Sequence, residues 1–167
     1  MKKFFHISLK NDLEGIWNPR LPEKSSNNKK GLTEPDIPRI SVSTSIRDCF
    51  RAIYPNVAKF FEEEKLPYLI FSIYSPVITP NTKMIHWEEL RDKLYVHDAH
   101  VTHESWILGS VKMELIGTIK IFNTDTSGND LLYSPFNNPK INKVYHSPRE
   151  ICFEIISNKK NIEYRDV

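Results

Sequence analysis

The distribution of hydrophobic and polar residues along the chain predicts a domain built mainly of strands. Residues 3–9 are dense in Phe, Ile and Leu, a composition typical of a strand that is buried on both faces. Apolar and hydroxyl side chains alternate over residues 39–43, so this second strand has one apolar and one hydroxyl-bearing face. Residues 68–74 and 111–122 are predicted as two longer strands, and the second of these is expected to bend at Gly117.

Two stretches have the residue spacing of helices. Ser45 is a favourable helix cap, and apolar residues then recur three and four positions apart as far as Ile53. Pro55 either kinks this helix or starts a second one that ends near Lys65. A shorter helix is predicted over residues 86–93.

Proline-rich and polar stretches separate these elements. Residues 11–38 are predicted as a long loop, and loops of this length in compact domains often cover a functional site. Residues 123–142 are rich in turn-forming residues, and a last strand is predicted over residues 150–157. The pattern predicts one mixed α+β domain over residues 1–167, dominated by strands, with one or two helices between the second and third strands.

The composition gives no support to several classes of protein. The 23 basic and 21 acidic side chains give a net charge of +2, too small to indicate nucleic-acid binding by bulk electrostatics. Cys49 and Cys152 form no CxxC pair and no disulfide framework. No run approaches the ~18 apolar residues of a membrane helix, and the amino terminus lacks the apolar core of a signal peptide. We therefore expect a cytoplasmic protein with no membrane partner.

Four polar residues are candidates for chemistry. His6 interrupts an apolar strand, where it is either a core histidine or a site residue. Glu104 precedes the apolar stretch that begins near Trp106, and a carboxylate at the mouth of a strand loses solvent and can stabilise a developing cation. Arg20 and Arg39 each adjoin a proline, which restricts their backbone and favours bidentate phosphate contacts. Ordinary surface roles are the alternative for Glu104 and for both arginines.

Three histidines recur at every third position, His97, His100 and His103, and acidic residues follow two of them as Asp98 and Glu104. Imidazole and carboxylate are common zinc ligands, so a metal site is one interpretation. The spacing is not that of an established zinc motif, and a solvated loop is the alternative.

The order of three motifs resembles the ADP-ribosyltransferase fold. Members of that fold carry a histidine or arginine on the first strand, a serine-threonine triplet that ends a strand, and a glutamate that starts a later strand. This chain has them in that order as His6, Ser43-Thr44-Ser45 and Glu104. The resemblance implies that His6 holds the NAD ribose, that Ser43 and Ser45 shape the nicotinamide pocket, and that Glu104 bonds the 2′-hydroxyl of the nicotinamide ribose.

The same resemblance implies further cofactor contacts and a partner. NAD is the expected cofactor, and the expected acceptor is a protein or a nucleic acid. The loop that carries Arg20 is expected to cover the diphosphate, with Arg39 as a second cofactor-binding arginine. Trp106 or a tyrosine is expected to stack on a ring of the cofactor.

Two other functions fit the sequence. His6-Ile7-Ser8 and His100-Val101-Thr102 match the histidine-any-hydroxyl pattern of two-histidine phosphoesterases, in which paired imidazoles act on cyclic nucleotides or RNA 2′,3′-cyclic phosphates. The other alternative is a non-catalytic protein-binding inhibitor of the kind that phages and mobile elements encode.

Overall fold

A computed structural model of the chain describes residues 3–22, 34–53, 68–122 and 162–165. These residues form a mixed α+β fold that is dominated by strands, as the sequence predicts. The elements along the described chain are β1 (His6–Ser8), β2 (Gly15–Trp17), β3 (Ile40–Ser43), α1 (residues 46–53, the end of that described segment), β4 (Tyr68–Pro76), β5 (Met84–Ile85), α2 (Trp87–Asp92), α3 (Ala99–Thr102), β6 (Glu104–Ile107), β7 (Val111–Phe122) and β8 (Ile162–Arg165).

The strands of the described residues form two antiparallel sheets. The larger sheet has the order β1-β4-β7-β2, with β8 also paired to β7, and the smaller sheet has the order β3-β6-β5. In the β4–β7 ladder Ile73 pairs with Gly117 but Tyr74 pairs with Leu115, so Ile116 is an extra residue on β7. An extra residue of this kind bends a strand, and the expected irregularity at Gly117 is therefore confirmed.

One backbone bridge joins the two sheets beside β1. The amide of Phe5 donates to the carbonyl of Ser43, and the amide of Ser43 donates to the carbonyl of Phe5, each at 2.9 Å. Because Phe5 directly precedes β1 and Ser43 ends β3, this bridge places His6 next to the hydroxyl-bearing strand.

The predicted alternation on β3 is confirmed and separates a core face from a polar face. Ile40 and Val42 are buried and pack with Tyr74 and Met113 in one hydrophobic cluster. Burial of each such side chain stabilises the fold by about 1.5–3 kcal/mol. The opposite face of β3 therefore carries the serines, because successive side chains of a strand point to opposite sides.

Helix α1 begins as the sequence predicts. The Ser45 hydroxyl accepts a hydrogen bond from the Asp48 amide at 3.1 Å and donates one to the Asp48 carboxylate at 2.7 Å. This is a helix cap, whose loss typically costs about 1 kcal/mol. Ile46 and Phe50 are buried, and the Phe50 ring lies edge-on to Phe71 of β4 with 5.2 Å between ring centroids.

The structure corrects the prediction in several short elements. The expected loop over residues 11–38 contains β2, and β5, α3 and β8 were not predicted. Each is at most four residues long, too short for a hydrophobic period to emerge. The helix expected over 86–93 is α2. The predictions for Pro55 to Lys65, for residues 123–142 and for the strand at 150–157 lie outside the described residues. Among the described helices, none combines the length and apolar composition of a membrane span.

Candidate functional site

Three residues of the predicted site border one small cavity. Its volume is about 90 Å³, and its walls come from β1, β3, α1 and the start of β6. His6, Ser43 and Glu104 line it, together with Ser41, which sequence reasoning missed. The space holds about three water molecules, so it can take only one small group of a larger ligand.

The His6 imidazole is fixed by the backbone of β3. Its Nδ1 lies 2.9 Å from the Ser41 carbonyl oxygen. Since a carbonyl only accepts, Nδ1 carries the proton and Nε2 of the neutral ring is left as an acceptor. Burial lowers the pKa of His6, the hydrogen bond to Ser41 opposes this shift, and the positive charge of Arg20 adds to it. The half-buried ring is therefore neutral at pH 7.

The Glu104 carboxylate is held by two donors on the polar face of the smaller sheet. The Trp106 indole Nε1 donates to Oε1 at 2.9 Å, and the Ser41 hydroxyl forms a side-chain hydrogen bond with the same carboxylate. Burial is the main influence and raises the pKa of Glu104, while these two hydrogen bonds act in the opposite direction. Charges add smaller effects, since Glu34 raises this pKa and Arg39 lowers it.

Ser41 reaches Glu104 because of the register between β3 and β6. Ser43 pairs with Glu104, and Ser41 pairs with Trp106, so the four side chains share one face of the antiparallel pair. The alternation of residues 39–43 could have identified Ser41 as a site residue, because it places Ser41 on the same face of the strand as Ser43. What the sequence does not show is the pairing with β6.

The serine-threonine triplet is divided among different roles. The Ser43 side chain lines the small cavity and is hydrogen-bonded to the Cys49 thiol, whose pKa burial raises to about 12. Thr44 lies half-buried in the bend after β3 and does not line the cavity. Ser45 is fully buried as the cap of α1. The expectation that Ser45 contacts a cofactor is therefore corrected, and Ser41 takes the place beside Glu104.

A second, larger cavity also borders His6. Its volume of about 610 Å³ is within the range of small-molecule sites, about 300–1,000 Å³. The described residues that line it include Lys10, Arg20 and Arg39, and no Asp or Glu is among them. The Trp17 ring also lines this cavity and lies edge-on to His6, with 4.9 Å between ring centroids. A basic wall with an aromatic ring suits an anionic ligand that carries a ring.

The two predicted phosphate-binding arginines have different environments. Their backbones are paired, since the Arg20 amide donates to the Arg39 carbonyl at 3.2 Å and the Arg39 amide donates to the Arg20 carbonyl at 3.0 Å. The Arg20 side chain is exposed where it lines the larger cavity. Arg39 is only 7% exposed, and its guanidinium forms an ion pair with Glu34. Both arginines therefore border the larger cavity, Arg20 with an exposed side chain and Arg39 with a guanidinium that is paired with Glu34. The phosphate-binding role stays a prediction for each of them.

The expectation that Trp106 stacks on a ligand is wrong. Trp106 is 0% exposed and packs in a second hydrophobic cluster with Leu90 and Val96, beneath α2 and α3. Its ring is covered by Arg39 and stacked near Tyr95, so no ligand ring can reach it. Trp17, which lies in the interval predicted as a loop, is the tryptophan that faces a cavity.

The histidine triplet does not converge. His97 and His100 are exposed, whereas His103 Nδ1 lies 3.0 Å from the carboxylate of the buried Asp48. Within the described segments, no group of three or more His, Cys, Asp or Glu side chains could hold a metal ion. His103 has a left-handed backbone with φ of 46°, and it directly precedes Glu104 at the turn from α3 into β6. The Asp48 contact therefore anchors the residue before Glu104.

The pKa of Glu104 gives a test of its burial. Because the folded-state pKa is raised above its ordinary value of 4.5, ionisation of Glu104 destabilises the folded protein as the pH rises through the folded-state pKa. Glu104→Gln cannot ionise and escapes this cost. The free energy of unfolding of Glu104→Gln relative to the parent should therefore increase in urea titrations as the pH rises from about 4.5 through the folded-state pKa. A relative stability that stays constant or falls would show that Glu104 is not buried as described.

Comparisons with known proteins found no match to this chain among protein-family models, curated proteins or solved structures. The function must therefore be inferred from the two cavities and from the residues that border them.

Proposed function

We propose that this protein is an NAD-dependent ADP-ribosyltransferase that modifies a protein or a nucleic-acid acceptor. The observation that carries this proposal is the convergence of His6, Ser41 and Glu104 on one small cavity, next to a larger basic cavity. Residues from three separate parts of the chain meet there, and the carboxylate is held by two hydrogen bonds.

The reaction explains why a fixed carboxylate is needed. The bond between nicotinamide and ribose in NAD breaks, and its electron pair leaves with nicotinamide, which becomes neutral. The acceptor forms a new bond to the ribose carbon and loses a proton. Positive charge develops on the ribose during this exchange. A carboxylate that is already oriented in a desolvated site stabilises that charge without reorganising. The half-buried Glu104 carboxylate, held by Trp106 and Ser41, supports this role.

The lining of the larger cavity fits the remainder of a dinucleotide. Lys10 and Arg20 supply positive charge for a diphosphate, and charge-assisted hydrogen bonds from Arg are among the strongest available. The Trp17 ring offers a surface for a base or for nicotinamide. His6 borders both cavities, so a ligand that occupies both would pass its imidazole.

The phosphoesterase alternative lacks the required pair of imidazoles. His100 is exposed on α3, and it lines neither of the cavities that border His6. Two histidines that act as acid and base on one phosphodiester must both reach it. The non-catalytic inhibitor is an outcome of the binding test below.

Titration with NAD by calorimetry tests the proposed ligand. We expect the parent protein to bind NAD and Arg20→Ala to bind it about tenfold more weakly, because one charge-assisted contact to the diphosphate is lost. The matched control is Arg91→Ala on α2, whose side chain pairs with Asp92 and lines neither cavity. Equal weakening in both variants would indicate a general charge effect. No heat with the folded parent would contradict the NAD site and favour the inhibitor.

A further inference from the structure

The Glu104 carboxylate contacts the Trp106 indole, and the indole in turn contacts the Arg39 guanidinium. The Trp106 indole Nε1 donates to Oε1 at 2.9 Å, and Trp106 is 0% exposed. A buried indole N–H needs an acceptor, and the Glu104 carboxylate supplies it. The indole therefore specifies one orientation of the carboxylate.

The indole is in turn held by Arg39. The guanidinium carbon lies 3.9 Å from the centroid of the Trp106 ring, well within cation–π range. An ion pair with Glu34 fixes this guanidinium, which also donates to the carbonyls of Pro35 and Ile37 at 3.4 Å each. The residues that precede β3 therefore hold the Arg39 guanidinium over the Trp106 ring.

We propose that Trp106 and Arg39 are positioning residues for Glu104, with the indole N–H orienting the carboxylate and the guanidinium holding the indole in place. This inference rests on the proposed function for its catalytic consequence, since Trp106 is fully buried and acts only through Glu104, and Arg39 acts on Glu104 through the Trp106 ring. It also explains why the strongly basic Arg39 side chain, which borders the larger cavity, is almost fully buried.

The arrangement also favours the ionised carboxylate. A donor aimed at a carboxylate lowers its pKa, and so does a nearby cation, so both residues oppose the effect of burial. The other titratable groups that face Glu104 are Glu34 ahead of β3, His6 on β1 and Cys49 on α1. The Cys49 thiol, with its pKa of about 12, does not titrate in the range of interest.

Trp106→Phe tests the orienting donor, because it keeps an aromatic ring in the cluster and removes the N–H. We expect the pKa of Glu104, followed by the ¹³C signal of its carboxyl carbon, to rise by about one pH unit. In the nicotinamide-release assay kcat should fall about tenfold at neutral pH while KM for NAD changes less than about twofold. The matched control is Trp87→Phe, because the half-buried Trp87 ring packs against His103 and Arg91 instead. An unchanged Glu104 pKa in folded Trp106→Phe would overturn the proposal.

The parent protein provides a test that needs no substitution. Because the indole donates to the carboxylate, the ¹⁵N and ¹H signals of the Trp106 indole should shift with pH at the same midpoint as the Glu104 carboxyl carbon. The indole signals of Trp87 should not follow that midpoint. A Trp106 signal that stays constant through the Glu104 titration would overturn the proposal even if Trp106→Phe failed to fold.

A double variant tests whether Arg39 acts through Trp106. Arg39→Lys keeps the charge near Glu104 but loses the planar group over the ring, so on its own it should shift the Glu104 pKa in the same direction as Trp106→Phe. Combined with Trp106→Phe, it should add no further shift, because the contact it supports is already gone. Additive shifts would show that Arg39 does not act through the indole.

The two readouts separate this inference from the proposed function. The Glu104 pKa and the indole signals are measured without NAD, so they decide the positioning role even if the protein has no transferase activity. Conversely, nicotinamide release by the parent with unaltered pKa values in the variants would leave the transferase and remove the positioning role.

Discussion

Glu104→Gln should reduce nicotinamide release from NAD about 100-fold or more, the loss typical when a preorganised electrostatic group is removed from an active site. Gln has nearly the same shape and can still accept the hydrogen bond from Trp106, so the fold and the binding of NAD should be retained. The missing element is the negative charge that stabilises the developing ribose cation. The measurement is single-turnover release of nicotinamide, with circular dichroism to establish that the variant is folded.

Glu114→Gln is the matched control for this substitution. Glu114 lies exposed on β7, pairs with Lys112 at 2.9 Å, and lines neither cavity. Its release rate should equal that of the parent. A folded Glu104→Gln that releases nicotinamide at the parental rate would contradict the assignment of Glu104.

Asp48→Ala should have the largest effect on stability, a decrease of about 3 kcal/mol in the free energy of unfolding. The buried Asp48 carboxylate accepts from Ser45 at 2.7 Å, contacts His103 at 3.0 Å and pairs with Arg51 at 3.3 Å. Removal of one partner of a buried charged group costs about 3–5 kcal/mol, and the cap of α1 is also weakened. Urea titration with circular dichroism measures the change.

The control for Asp48→Ala is Asp92→Ala on α2. Asp92 is 65% exposed and pairs only at the surface with Arg91, so its loss should leave the unfolding midpoint unchanged within error. Asp48→Asn should lie between the parent and Asp48→Ala, because an amide keeps part of the hydrogen bonding. If Asp48→Ala lost less than about 1 kcal/mol, the anchoring of His103 and α1 by this carboxylate would be refuted.

The elements that the sequence predicts correctly are those whose signals are local and long enough. The strands at 68–74 and 111–122 are confirmed as β4 and β7, because each is a sustained run of strand-forming residues. The cap at Ser45 is confirmed because a helix cap depends only on residues a few positions apart. In the same way, the start of β6 at Glu104 follows from a change of polarity in the sequence.

The parts of the site that were missed depend on contacts between distant segments. Ser41 bonds Glu104 only because β3 pairs with β6 in one register, and no local pattern encodes that register. Trp17 and Trp106 are each flanked by one polar and one apolar residue, so the local sequence does not distinguish them. Packing in the fold decides that Trp17 faces a cavity and that Trp106 is buried. Arg39 was expected at a phosphate, and it does border the larger cavity, but its guanidinium is paired with Glu34 and lies over the Trp106 ring.

Release of nicotinamide from NAD by the purified parent protein is the decisive measurement for the proposed transferase. It is followed by chromatography for the protein alone, with added protein extract and with added nucleic acid, and His6→Ala and Glu104→Gln are run in parallel. We expect nicotinamide from the parent in at least one mixture and its loss in both folded variants. No nicotinamide in any mixture, together with no heat on titration with NAD, would contradict the transferase.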